Sequence, residues 1–367
     1  MTSQHPEPQP DFGRPRIDRH PDFTLDRPGA LIAALPAVLG FTPTNSLVLV
    51  SVERGQLGAV LRVDLGPDLI DRLDELVSVA AAAHPDAVIA VIVDESGALC
   101  PCCGDRYRRL CAVLADELAE YDIPLWAAHL VDKVAEGGRW HCVDGCGSRG
   151  RVDDPESSPV AAAAVLDGRR LYASRADLQA VIAAEDDTRS RSVAAAVEAL
   201  EAGRRGAPGG DSTERARAAV QDALAAAARV GAGEALSDAE IAVVAQGLTQ
   251  VRVRDTLYAL AVGELAAGAE TLWSTLARRL PEHLRVEPLV QLAFCAYARS
   301  DGPLAGLSLE AALRIDPRHR MAVLLDTALH AGMRPDQIRK LALTAYRLAD
   351  DLEVALPPRL EYGQKAG

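Results

Sequence analysis

The sequence predicts an α/β domain, a mixed sheet with an N-terminal β-hairpin and helices on its faces, followed by an all-α helical domain that is partly tetratricopeptide-like. Two apolar runs, 47–52 and 59–65, flank a polar turn and indicate the hairpin. Two further apolar runs, 87–93 and 124–131, alternate with amphipathic segments, as in α/β proteins. Beyond residue 186 the apolar residues recur only at helical spacing.

The chain opens with a Pro-rich leader. Residues 1–22 contain five prolines among polar residues, a composition typical of a disordered segment. Pro28 then suits the first turn of an apolar helix, and Gly40 provides the conformational freedom that ends it. The α/β domain is therefore predicted to begin at residue 23.

Further helices are predicted between and after the strands of this domain. They cover 69–83, 105–121, 159–166 and 175–184, the last with Ser174 and Asp177 at the spacing of a capping box. The segment 139–154 reads as a loop or short strand that carries cysteine and glycine. These elements predict an α/β domain that spans 23–185.

The second half is divided by a glycine-rich segment. A helix and this linker are predicted at 186–211. The all-helical domain then covers 212–350, and a tail covers 351–367. Periodicity predicts helices at 189–203, 213–230, 237–247, 253–267, 269–279, 286–299, 303–315, 319–331 and 335–349.

One pair of these helices fits the tetratricopeptide pattern, whose unit has about 34 residues. If Val286 opens the unit, small or apolar residues fall at its signature positions, namely Leu289, Leu292, Ala293, Ala296, Ala305, Leu309, Ala312 and Pro317. The preceding and following periods fit poorly. A local helical hairpin inside an ordinary bundle is the competing interpretation.

Composition limits the class of protein and its location. The net charge of −13 over 367 residues argues against a nucleic-acid partner, because phosphate binding needs a basic surface. The sequence has no apolar run of membrane-spanning length and no signal peptide, so we expect a cytoplasmic protein without a membrane partner. In that compartment seven cysteines favour thiols, metal ligands or redox groups over structural disulfides.

The chain resembles an actinobacterial family known as domain of unknown function four-one-nine-two. The resemblance rests on LPAVLGFTPTNSLVLV at 35–50, RVDL at 62–65 and GRW-x-C at 138–142. The segment 157–178 and a helical part that includes Arg254-Asp255 and residues 289–317 also carry it. The resemblance implies the domain organisation but no activity, substrate or catalytic residue.

Two cysteine groups are the principal candidates for chemistry. If the strands that precede them are parallel neighbours, both groups emerge at one sheet edge, where Cys100, Cys103, Cys142 and Cys146 would form a tetrahedral zinc site. His141 or Cys102 are substitute ligands. A strand followed by CPCC and a helix also occurs in thioredoxin-like redox proteins. Partly buried reduced thiols are the structural alternative.

Other catalytic patterns are weak. Ser46 has no nucleophile-elbow context, the histidines are scattered, and no glycine-rich loop follows a strand. Asp94 and Glu95 follow a predicted strand, where acidic residues either face a ligand cleft or simply end the strand.

We therefore expect a non-enzymatic interaction or regulatory protein that binds a protein partner through its helical domain. The alternative is an enzyme, or a ligand, metal or redox sensor, with its site at the cysteine-bearing edge of the α/β domain. The sequence identifies neither the partner nor a reaction.

Overall fold

The computed structural model describes residues 27–82, 84–99, 101–143, 145–166, 171–205, 212–331 and 333–359. The described residues form two compact units. Unit 1 contains the residues up to Ala33 together with Asn45–Asp154, and unit 2 contains Ala34–Thr44 and the residues from Pro155 onward. Within the described ranges, none of the helices has the length and apolar character that a membrane span requires.

The strands are β1 Ser46–Glu53, β2 Gln56–Asp64, β3 Ala87–Val93, β4 Leu125–Val131, β5 Arg139–Cys142 and β6 Arg149–Arg151. The α-helices are α1 Pro28–Leu39, α2 Leu73–Ala81, α3 Pro101–Ala119, α4 Pro159–Leu166, α5 Arg175–Ala180, α6 Asp187–Arg205, α7 Ser212–Gly231, α8 Asp238–Leu248, α9 Val251–Leu257, α10 Ala266–Arg279, α11 Val286–Ala298, α12 Gly302–Ile315, α13 Arg320–His330 and α14 Pro335–Asp351. The predicted fold class, an α/β sheet region followed by a helical region, is confirmed.

Unit 1 is built on a six-stranded mixed sheet with the order β2-β1-β3-β4-β5-β6. Only β3 and β4 pair in parallel, and α3 connects them, whereas every other neighbouring pair is antiparallel. The predicted N-terminal hairpin is β1–β2. Its two-residue turn, Arg54-Gly55, has positive φ at both positions (52° and 75°), which matches the twist of a tight hairpin.

The core of unit 1 lies on one face of this sheet. Alternate residues of the central strands, such as Leu47, Ile92 and Leu130, pack against α2 and α3. The intervening residues of β1 and β3 are buried as well, which explains why these strands read as continuous apolar runs. Strand β2, at the sheet edge, is only partly buried.

The segment predicted as a loop or short strand forms the hairpin β5–β6. The pairing of these strands places Gly150 against the Trp140 ring. Only glycine fits there, because an added Cβ atom would lie 2.9 Å from the ring. Trp140 Nε1 donates to the Arg151 carbonyl at 3.2 Å. At the start of β5, Asp132 Oδ1 accepts a hydrogen bond from the Arg139 amide at 2.8 Å. The close approach of Gly150 to Trp140 and the hydrogen bond to Asp132 thus help the β5–β6 hairpin to extend the sheet beyond β4.

Unit 2 surrounds α11. All residues of α11 except Glu287 are buried, and the helix contacts α10, α12 and α14. Helices α11 and α12 form the predicted helical hairpin, and its small and apolar signature residues from Leu289 to Ala312 are fully buried. The contacts account for the small residues without requiring a tetratricopeptide array, so the tetratricopeptide-like character of this unit stays a prediction.

The predicted helix at 253–267 is wrong as a single element. Helix α9 passes into a 3-10 helix, Tyr258–Val262, and Gly263 then adopts an extended conformation. Gly263 forms a β-bridge with Arg359, and the Glu264 amide donates to the Pro358 carbonyl at 3.0 Å. Pairing with residues far along the chain therefore ends the helix where local propensity favours its continuation.

The segment 155–185, which the sequence assigns to the α/β domain, clusters with unit 2. Ser274 donates to the Val181 carbonyl at 2.6 Å, and Arg285 donates to the Ile182 carbonyl at 2.6 Å. The Glu185 amide donates to the Arg278 carbonyl at 2.8 Å. These bonds attach the chain after α5 to α10 and to the start of α11.

Candidate functional site

The carboxyl end of β3 carries an acidic side chain whose hydrogen bonds are local. Asp94 accepts from Tyr107 Oη at 2.5 Å and from the Ser96 amide and hydroxyl at 3.0 and 2.9 Å. Burial opposes ionisation, but the hydrogen bonds from Tyr107, Gly97 and Ser96 outweigh it and hold the pKa of Asp94 below its ordinary value. Asp94 thus stabilises the turn into α3.

Ser46, at the start of β1, lies at the same sheet edge. Its side chain is fully buried, and Arg62 Nε donates to its hydroxyl at 2.7 Å. Arg62 also pairs with Asp64. Through Arg62, Ser46 is thus connected to Asp64 in an ionic network at this edge.

A cysteine and a histidine meet on the opposite side of the sheet from α2 and α3. The antiparallel register of β4 and β5 places Cys142 opposite His129, and the Cys142 Sγ atom lies 3.5 Å from His129 Nδ1. The Trp140 ring packs edge-on against the imidazole, with 5.2 Å between ring centroids. The thiol therefore has an imidazole within hydrogen-bonding distance of its sulfur.

The two groups differ in exposure. His129 is 4% exposed, whereas Cys142 is partly exposed. An imidazole at this distance can accept the thiol proton, and a thiolate beside an imidazolium is the arrangement that makes a cysteine nucleophilic. Cys142 is thus a partly exposed residue with an imidazole beside its sulfur.

The backbone around Cys142 limits which reactions such a thiolate can perform. The Cys142 amide donates to the Ser148 carbonyl at 2.8 Å, and the Val143 amide donates to the Ala128 carbonyl at 2.9 Å. Both N–H groups next to the sulfur are used by the sheet. Acyl transfer needs donors for an oxyanion, and these two amides do not provide them.

Two other thiols have different surroundings. Cys111 lies in the core beneath the sheet and Cys295 is buried within α11. Burial, reinforced by the charge of Glu270, raises the pKa of Cys295, so this thiol stays protonated and unreactive. Cys295 is a natural internal reference for the reactivity of Cys142.

The predicted zinc quartet remains a prediction. Cys100 lies outside the described residues, as do the side chains of Cys102 and Cys103. Strand β5 runs antiparallel to β4, so it carries the chain from Arg139 back along the sheet, and Cys146 follows in the β5–β6 turn. In the part of the chain that is described, no three metal-ligating side chains converge.

His141, the predicted substitute ligand, faces away from the Cys142–His129 pair. It is paired with Leu130 in the sheet, and successive residues of a strand alternate between faces. The sequence singled out Cys142 but not His129, its actual neighbour. The only signal in the sequence that could have found His129 is its position along β4 relative to that of Cys142 along β5. Using this signal requires knowing that β5, predicted only as a loop or short strand, pairs antiparallel with β4.

Unit 2 contains a polar cluster that includes one of the passages carrying the family resemblance. Arg254 Nη1 lies 2.9 Å from Glu287 Oε1, and His319 Nε2 lies 3.2 Å from the same oxygen. His319 Nδ1 accepts from the Ala322 amide at 3.2 Å, so the proton resides on Nε2. Since both ring nitrogens are engaged, His319 caps α13 instead of acting as a base.

Comparison with known proteins identifies the family. Residues 28–336 match the family described as "Domain of unknown function (DUF4192)". Neither a search of curated proteins nor a search of solved structures gave a match. The chain belongs to the DUF4192 family, as the resemblance in its opening helix and hairpin implied.

Proposed function

We propose that this protein is a cytoplasmic thiol-based sensor whose reactive group is Cys142. The observation that carries the proposal is the 3.5 Å distance between the Cys142 sulfur and His129 Nδ1. It is supported by the partial exposure of Cys142 and by the engagement of both adjacent amides in the sheet. A sensor needs a thiolate but no oxyanion site, whereas a cysteine hydrolase needs both.

We expect His129→Gln to slow the alkylation of Cys142 by iodoacetamide at neutral pH by about tenfold, because the thiol loses the base that deprotonates it. The rate is measured by mass spectrometry on the full chain over a range of pH. In the wild-type protein, alkylation of Cys142 reaches its plateau at lower pH than in the variant. Cys295 remains unmodified in both.

The matched control is His141→Gln. It removes the neighbouring imidazole, which points to the other face of β5, and we expect the alkylation rate of Cys142 to stay within about twofold of wild type. Equal rates in wild type and His129→Gln across the pH range would overturn the proposed role of the Cys142–His129 pair.

A second candidate function, binding of a protein partner by the helical unit, has its own support. Ten large apolar side chains are exposed among the described residues, and five of them, Val323, Leu324, Met333, Leu341 and Leu343, lie on or between α13 and α14. Exposed apolar side chains concentrated in one segment favour a protein contact.

For this candidate, we expect Leu324→Asp with Leu341→Asp to abolish recovery of proteins that copurify with the full chain. The matched control is Ile70→Asp with Val79→Asp, which places the same charges at exposed apolar sites of unit 1. Copurifying proteins are quantified by mass spectrometry. Equal recovery with both double variants would exclude α13 and α14 as the binding surface.

A further inference from the structure

A second thiol lies in the turn that follows Cys142. Resting on the reactivity proposed for Cys142, we propose that Cys146 is its resolving cysteine. Oxidation by a hydroperoxide would then close a Cys142–Cys146 disulfide within the β5–β6 hairpin. The product is a reversible modification of unit 1.

The hairpin keeps the two cysteines near each other. The hydrogen bond from the Cys142 amide to the Ser148 carbonyl, 2.8 Å long, closes the turn. Cys146 is exposed and lies two residues before Ser148. A disulfide requires Cα atoms about 4.4–6.8 Å apart, and the proposed bond depends on a change in this turn that brings Cys142 and Cys146 to that separation.

The backbone beside Cys146 favours such a rearrangement. Gly145 and Gly147 flank it with φ of +83° and +77°, and a Cβ atom at either position would meet nothing within 4 Å. The space on the Cβ side of both glycines is therefore open. Glycine changes its backbone conformation at less steric cost than other residues, so these two positions favour a change in the turn.

The other thiols whose side chains are described are poor alternatives. Cys111 is 8% exposed beneath the sheet, and Cys295 is 4% exposed within α11 of unit 2. A thiol that attacks oxidised Cys142 must reach its sulfur. Cys146 is the exposed member of this set and follows Cys142 by four residues.

The chemistry balances in two steps. The Cys142 thiolate attacks one peroxide oxygen, the O–O bond breaks, and the leaving alkoxide or hydroxide takes the proton held by His129. Cys142 is then a sulfenic acid. Cys146 attacks its sulfur, the S–O bond breaks, and hydroxide leaves with the Cys146 proton as water. Two thiols lose two electrons and the hydroperoxide gains them.

The test uses the full chain treated with hydrogen peroxide in the presence of dimedone, which traps sulfenic acids. Trypsin cleavage after Arg139 and Arg149 releases both cysteines in one peptide, residues 140–149. In the wild-type protein we expect this peptide to lose two hydrogens and to take up little dimedone. In Cys146→Ser, we expect dimedone on Cys142.

The outcomes separate the two proposals. Dimedone on Cys142 in the wild-type protein at the level of Cys146→Ser, or a disulfide from Cys142 to another cysteine, would overturn the role of Cys146 and leave Cys142 as the reactive thiol. Absence of both dimedone adduct and disulfide at Cys142 in every variant would instead overturn the sensor function. Cys142→Ser, in which Cys146 should stay reduced, controls for direct oxidation of Cys146.

Discussion

Replacement of Arg299 by methionine is expected to destabilise the helical unit by about 3–5 kcal/mol. Arg299 lies between α11 and α12 and is paired with two carboxylates, at 2.6 Å to Glu270 Oε2 and 2.8 Å to Asp301 Oδ2. Glu270 is 7% exposed and Asp301 is 2% exposed. Loss of the guanidinium would leave two buried negative charges without a countercharge.

The direction of the pKa shift of Arg299 agrees with this pairing. Burial alone would lower the pKa of Arg299, but the charges of Glu270 and Asp301 outweigh it and hold this pKa above its usual value. Asp301 also caps α12, since its Oδ1 accepts from the Leu304 amide at 3.1 Å. The ion pairs therefore connect α10 to the start of α12.

Hydrogen exchange measured by mass spectrometry on peptides from α10, α11 and α12 reports this change within unit 2. The matched control is Arg314→Met, which removes an exposed i,i+4 pair with Glu310 and is expected to cost less than about 0.5 kcal/mol. Adding Glu270→Gln to Arg299→Met should restore part of the protection, because one buried charge disappears. Identical exchange in Arg299→Met and Arg314→Met would contradict the prediction.

Gly268→Ala should destabilise the chain by about 1–3 kcal/mol, although alanine is the better helix former. Helices α7 and α10 approach closely here. A Cβ atom on Gly268 would lie 2.3 Å from the Ala227 carbonyl oxygen and 3.5 Å from the Gly231 Cα atom. The obstacle is backbone, so one of the helices must shift to admit a methyl group.

A second helical glycine provides the control for this substitution. Gly203 lies in α6, and an added Cβ atom would meet nothing within 4 Å. Gly203→Ala should therefore stabilise its helix by about 0.5–1 kcal/mol. Thermal unfolding of the two variants should shift in opposite directions, and a higher unfolding temperature for Gly268→Ala would exclude the close contact as the reason for glycine there.

The sequence predicted the elements well where burial and local pattern agree. Strand β3 is apolar throughout and buried throughout, and helices α11 and α12 begin and end within a residue or so of the predicted bounds. The candidate site was predicted only in part. Cys142 was singled out by its type and spacing, but its neighbour was taken to be another cysteine.

What the sequence by itself determined is the order of strands and helices, the apolar stretches that must be buried and the membership of the DUF4192 family. Tertiary structure decided the antiparallel register that places His129 beside Cys142, the end of the helix at Val262 and the pairing of Arg299 with Glu270. The physical reason is the separation along the chain of the residues that interact. Periodicity reports the local environment of a residue, whereas these contacts join residues that are distant along the chain and depend on pairing and burial.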